Sequence, residues 1–217
     1  MKGPKTSTTR LLAGAMVLLT LVGATGCSVS KGVRNELYDS EMDDLLKNTA
    51  AYYIVHSETG GAAGLVLKEE MQVLRKQLQE ELGGVAIVRQ PDEGLLLVFP
   101  SDNLFRSGGA QLQAQGQAYV ETLCDILKTS QGNRIYLLVH TDNNSSDFMS
   151  MQLSEKRART LRKAFRQQGL RAYTEGKGAL VPVITNQSEE GQRQNRRIEV
   201  AVVAGRQKIK TIRRALQ

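Results

Sequence analysis

Between residues 65 and 82 the apolar positions recur with a helical period. In "LVLKEEMQVLRKQLQEEL", Leu67, Met71, Leu74, Leu78 and Leu82 follow one another at spacings of four, three, four and four, with charged residues between them. That stripe predicts an amphipathic helix that must bury one face, in its own domain, against a second helix or against a partner. A weaker helical pattern precedes it at Leu37, Met42, Leu45 and Leu46, and "SETGGAAG" marks a break between the two. After Gly83 and Gly84 the period changes. "VAIVRQPDEGLLLVFP" reads as two strand-favouring runs around a Pro-Asp-Glu-Gly turn, hence a hairpin. "QAYVETLCDILKTS" returns to helical spacing through Tyr119, Leu123, Ile126 and Leu127, and "RIYLLV" suits a buried strand. "LSEKRARTLRKAFRQQG" predicts a helix with Ser154 as N-cap, Ala158, Leu161 and Phe165 on one face, and Gly169 at its end. "RIEVAVV" closes the pattern as a last strand. Strands alternating with helices predict an α/β (α+β) sandwich: a mixed sheet, with parallel segments joined by crossovers, covered by helices mainly on one side and preceded by a helical segment.

The first 27 residues follow a different logic. Lys2, Lys5 and Arg10 make a basic start, and the apolar run from Leu11 to Val22 is too short to span a membrane as a mature helix. This is the form of a bacterial export signal. Ala24, Thr25 and Gly26 lead into Cys27, an arrangement that resembles the lipobox of lipoprotein signals, although Ala24 stands where leucine is commoner. Lipidation at Cys27 is therefore expected, the alternative being an ordinary secretory signal in which Cys27 is incidental. Several acyl chains anchor durably because each buried methylene contributes about 0.8 kcal/mol. In the lipoprotein class an aspartate after the cysteine favours retention at the inner membrane; Ser28 stands there, which points to the outer membrane. The expected organisation is a signal peptide at 1–26, a lipid-anchored, mainly helical segment at 27–84, a domain at 85–204 and a basic tail at 205–217.

Charge changes the picture only a little. The chain carries 29 basic and 22 acidic residues, a net +7, and removal of residues 1–26 takes away three basic residues and no acidic one, leaving +4. That is a mild bias and no nucleic-acid footprint. The tail "RQKIKTIRRALQ" places Ile209, Ile212 and Leu216 at roughly helical spacing, either as a frayed, solvated end or as a surface-binding helix. Cys124, among Leu123, Ile126 and Leu127, reads as a buried small hydrophobe.

Several short motifs share one order along the chain: Leu104-Phe105 followed by "SGGAQL", "HTD" at His140 to Asp142, "LSEKRA" at Leu153 to Ala158, "GKG" at Gly176 to Gly178, and "NQSEEGQRQNRRIEV" at Asn186 to Val200. In order and spacing these resemble the OmpA-like peptidoglycan-binding domain, over about Val85 to Ala204. The resemblance implies a pocket for the diaminopimelate of the wall's stem peptide, formed by Asp142 and Arg157 with Thr141, Ser150 and Arg197 nearby. The chemistry suits an amino-acid zwitterion, since an aspartate answers an ammonium and an arginine fork answers a carboxylate. Arg157 is expected in the first turn of its helix, where the dipole also favours an anion. The competing reading is that Asp142 and Arg157 simply pair with each other. Two positions depart from the family pattern: Ser145 stands for a glycine, which removes an easy positive-φ residue, and Ser150 for an asparagine, which exchanges an amide for one hydroxyl. In the family an arginine of the Arg196-Arg197 pair commonly braces loops near the pocket, and a structural role is expected for it here.

An enzyme is not expected. His56 lies in a weakly patterned segment, His140 occupies a motif position with no catalytic role in the family, and no cluster with metal-ligand spacing, nucleophile elbow or phosphate loop is present. No cofactor is implied. Two functions remain open: an outer-membrane lipoprotein facing the periplasm that tethers the envelope to peptidoglycan, or a structural lipoprotein subunit of an envelope-spanning complex such as a secretion system, its domain used for protein contacts.

Overall fold

The computed structural model describes residues 48–57 and 59–217; the signal, Cys27 and the pattern at Leu37–Leu46 lie outside them. Seven helices and five strands are described: α1 (Ala51–Val55), α2 (Gly61–Leu82), β1 (Ile87–Arg89), β2 (Gly94–Pro100), α3 (Ser101–Leu104), α4 (Ala114–Lys128), β3 (Asn133–His140), α5 (Asp147–Gln167), β4 (Ala172–Gly178), α6 (Glu189–Asn195), β5 (Arg197–Ala204) and α7 (Arg206–Ala215). The strands form one mixed sheet in the order β1-β2-β5-β3-β4. β3 and β4 are parallel, joined by the α5 crossover, and the other neighbours are antiparallel. The expected turn between the first two strands is present, with Asp92 at φ 53° and the Gly94 N–H donating to Pro91 O at 3.1 Å.

Alternation divides the strands between two faces. Leu95, Leu97 and Phe99 of β2, Leu137 and Val139 of β3, and Val200 and Val202 of β5 meet α2, α4 and α5 in the main core. The α2 stripe, Met71 through Leu82, is buried in this same core, so the helix packs within the chain. Its start is fixed from a distance: the Glu93 carboxylate, in the hairpin turn, accepts from the N–H groups of Thr59 and Gly60 at 2.5 and 2.8 Å. The other face carries a smaller cover, in keeping with a sheet covered mainly on one side. Ala50 and Ile54 pack there with Leu138, Ala201 and Val203, and the Tyr53 ring stacks on Tyr136 with centroids 3.8 Å apart. The short α1 supplies enough apolar surface to close part of the second face, which no helical period announced.

The helix after the HTD motif begins earlier than its pattern suggests. Ser146 is the N-cap, its hydroxyl accepting from Met149 N–H at 3.4 Å, and Ser154 lies fully buried inside α5. The Ser154 hydroxyl accepts from Gly178 N–H at 2.9 Å and donates to Met151 O at 2.9 Å, so it joins helix to sheet instead of capping. That junction is close: a Cβ on Gly176 would lie 2.3 Å from the Glu155 nitrogen. The helix ends as expected, with Gly169 at φ +79° and Leu170 N–H donating to Phe165 O at 2.9 Å, a Schellman closure. The tail is neither frayed nor loose. It forms α7, which lies against α2 and is pinned by Lys208, whose ammonium contacts Glu70 and donates to Ser130 Oγ and Gln131 O at 3.1 Å each.

Candidate functional site

β3 ends at His140, and the next residues turn outward at the C-terminal end of the strand. Thr141 N–H donates to Gly178 O at 2.9 Å, which ties the turn to the end of β4 and leaves Asp142 projecting beyond the sheet. Asp142 does not pair with Arg157. Its Oδ2 lies 2.8 Å from Nη1 of Arg196, whose Nη2 reaches Asp102 Oδ2 at 3.0 Å, so Arg196 bridges the HTD turn to α3. The hydrogen bonds to Asp102 and Asp142 push the Arg196 pKa further up, which keeps the bridge charged. The second oxygen of Asp142, Oδ1, accepts among the described residues only a long 3.3 Å bond from Asn144 N–H.

Arg157 sits ten residues beyond the first residue of α5, not in the first turn, so the helix dipole does not act at its guanidinium. The reason is the longer helix: the chain is already helical from Asp147. Arg157 is 2% exposed, lies 5.0 Å over the Phe105 ring, and donates from Nε to Gly109 O at 2.8 Å. Among the described residues no hydrogen-bond partner takes its two Nη groups. Burial pulls its pKa down, Asp102 opposes this, Arg196 adds to it and Asp142 opposes it again. Two carboxylates and two guanidiniums therefore feel one another at this end of the sheet, and the cluster is neutral as a set.

The remaining expected residues divide. Thr141 is buried with its hydroxyl unpartnered among the described residues, and Ser150 is buried in the first turn of α5. Ser145 does not adopt a positive φ, so the loop follows a path that needs no glycine there. Arg197 does not join the cluster. It is buried and committed to Glu199, with Nη2 2.7 Å from Oε1, while Nη1 donates to Val181 O at 3.2 Å. Arg196 closes α6 just before β5 and meets Asp142, whereas Arg197, the first residue of β5, turns to the second face together with Glu199 two residues on. Burial pushes the Glu199 carboxyl up, but Arg197 and then His140 outweigh it and hold the carboxyl below its usual range. Sequence reading missed Asp102 and the Gly109 carbonyl; their only signal was the "PSDNLFRSGG" stretch beside the Leu104-Phe105 motif. Among the described residues no three of His, Cys, Asp and Glu converge as metal ligands.

A family model described as the OmpA family matches residues 104–196, which takes in Asp142, Arg157 and Arg196 but not Asp102. Outer membrane protein A of Bordetella avium is 30% identical over 131 residues, covering 57% of this chain and 68% of that protein. The chain belongs to the OmpA family. The probable lipoprotein YiaD of Escherichia coli K12 is 28% identical over 146 residues, 66% of this chain and 65% of that protein. The chain thus spans about two thirds of the length of these relatives. A solved structure described as the cell wall anchor of the type VI secretion system (T6SS) from Pseudomonas aeruginosa superposes with a TM-score of 0.55 at 26% identity, over 60% of this chain and 96% of that one. The mixed five-stranded sheet with its helices is the fold of this OmpA family.

Proposed function

We propose that this protein is an outer-membrane lipoprotein, anchored through Cys27 and facing the periplasm, that binds peptidoglycan non-covalently and without catalysis. The observation that carries the reading is the division of labour between Arg157 and Asp142. Among the described residues Arg157 spends only Nε on the protein, which leaves a preorganised, desolvated fork for a carboxylate. Asp142 commits Oδ2 to Arg196, while Oδ1, held among the described residues by one long bond from Asn144 N–H, has room for an ammonium. A diaminopimelate side chain presents both groups at one end. Relatives named as lipoproteins and as peptidoglycan-binding proteins support the assignment.

Co-sedimentation with purified sacculi tests it. Arg157→Lys keeps charge but loses the fork, and Asp142→Asn keeps size but loses the countercharge; each should weaken binding by about 1 to 3 kcal/mol. Wild-type protein that stays in the supernatant would sink the reading. Cys27→Ser should leave the protein out of the membrane fraction, and unchanged fractionation would remove the anchor from the proposal.

A second reading, a structural subunit of an envelope-spanning assembly, is favoured by Phe148 and Met149. These stand 69% and 55% exposed in the first turn of α5, directly after the Asp142 turn. The likeness to the secretion-system wall anchor supports the same reading. Failure to bind sacculi together with loss of complex assembly in Phe148→Ser would decide for it.

A further inference from the structure

The two ends of the sheet are chemically different, and the second end carries a surface that the wall pocket does not use. Asp142 and Arg196 sit where β5 begins; α7 follows where β5 ends. The eight residues of β5 at ~3.3 Å each separate the two by roughly 25 Å. α7 holds five basic residues, Arg206, Lys208, Lys210, Arg213 and Arg214, and no acidic one. Lys208 is used internally, in the contacts with Glu70, Ser130 and Gln131 that orient the helix. The other four are exposed, and no acidic side chain among the described residues pairs with them; Arg213 alone of the four reaches back, donating from Nη2 to Thr59 O at 3.4 Å. Their spacing, i, i+4, i+7 and i+8, puts all four on one face within an arc of about 100°. Ile209 and Ile212 occupy the half-buried side toward the protein, and Leu216, 51% exposed, borders the basic arc. Arg134 extends the same end, lying 5.2 Å over the Tyr136 ring, whose ionisation also responds to Arg206.

We infer that the outward face of α7 docks on an anionic phospholipid surface. A cationic arc with an apolar border, carried on a helix whose rotation is fixed by Lys208, matches a plane of negative headgroups. The opposite pole carries a charge-balanced cluster and would gain nothing there. Membrane contact through α7 would therefore orient the Asp142 pole away from the lipid. This inference stands independently of what the Asp142 cluster binds.

The test is sedimentation with vesicles of the chain from residue 27 onward carrying Cys27→Ser, so that no acyl chain contributes. Phosphatidylglycerol vesicles should pull the protein down at low salt and less at physiological salt. Each cation near an anionic surface is worth about fivefold in partitioning. Lys210→Gln with Arg214→Gln should therefore lower partitioning about 25-fold at unchanged melting temperature, whereas Lys210→Arg with Arg214→Lys should retain it. Neutralising Lys156 and Lys163 on α5, equally exposed but on another surface, should cost far less. Equal binding to phosphatidylcholine vesicles, an equal loss in the α5 control, or no binding to phosphatidylglycerol would overturn the inference. So would a glutamine variant that keeps its vesicle binding and loses instead the capture of an acidic protein.

Discussion

Acidification from pH 7 to pH 5 should cost this fold about 2 kcal/mol, mostly through one histidine. His140 closes β3 directly under the Asp142 turn, is 1% exposed, and neither ring nitrogen has a hydrogen-bond partner among the described residues. Burial first, and then the Arg197 guanidinium, push its pKa down to about 3; Glu199, with Oε1 3.7 Å from Nε2, opposes this, and Lys177 on β4 adds to it. In the unfolded chain the imidazole titrates near 6.5. The folded value lies below the unfolded one, so the unfolded state takes up the proton first. Its stabilising contribution is complete above pH 6.5 and is lost progressively as pH falls toward 3. At pH 5 the unfolded imidazole is almost fully protonated while the folded one is neutral, a ratio of about 30 in the equilibrium, or roughly 2 kcal/mol. Glu199, held below its usual range, adds its own loss only at lower pH, as the unfolded carboxyl begins to protonate. Urea unfolding at the two pH values measures the difference. His140→Asn should be less stable than wild type at pH 7 but should lose most of the pH dependence between 7 and 5. An equal pH dependence in both proteins would refute the assignment to His140.

Gly176→Ala should destabilise by about 1 to 3 kcal/mol in thermal melts, because its Cβ would meet the α5 backbone at 2.3 Å. Leu74→Ala should cost about 2 to 5 kcal/mol in denaturant unfolding, since the side chain is 2% exposed within the shared core; an unchanged midpoint would mean that α2 does not pack there. Burial pushes the Cys124 thiol up to about 12 despite Lys128 nearby, so iodoacetamide at pH 8 should label it only in denaturant.

What could be read along the chain was whatever repeats or punctuates locally. The α2 stripe, the Pro91–Gly94 turn, the apolar run of β3 and the Gly169 stop each express a period or a backbone preference within a few residues, and each formed where its pattern lay. Asp142 and Arg157 were identifiable as chemistry because their residue types and motifs do not depend on orientation. Their partners were decided only when distant segments met. Arg196 reaches Asp142 and Asp102 across 54 and 94 residues of sequence, and Arg157 finds its acceptor at Gly109, 48 residues away. Ser154 looked like a cap because serine caps helices; the approach of β4 at Gly176 and Gly178 made it a buried strut and moved the cap to Ser146. Arg196 and Arg197 are indistinguishable as sequence. Arg196 ends α6 outside the sheet and joins the solvent-facing cluster, whereas Arg197 opens β5 and enters a buried pair with Glu199, because residues two apart on a strand share a face.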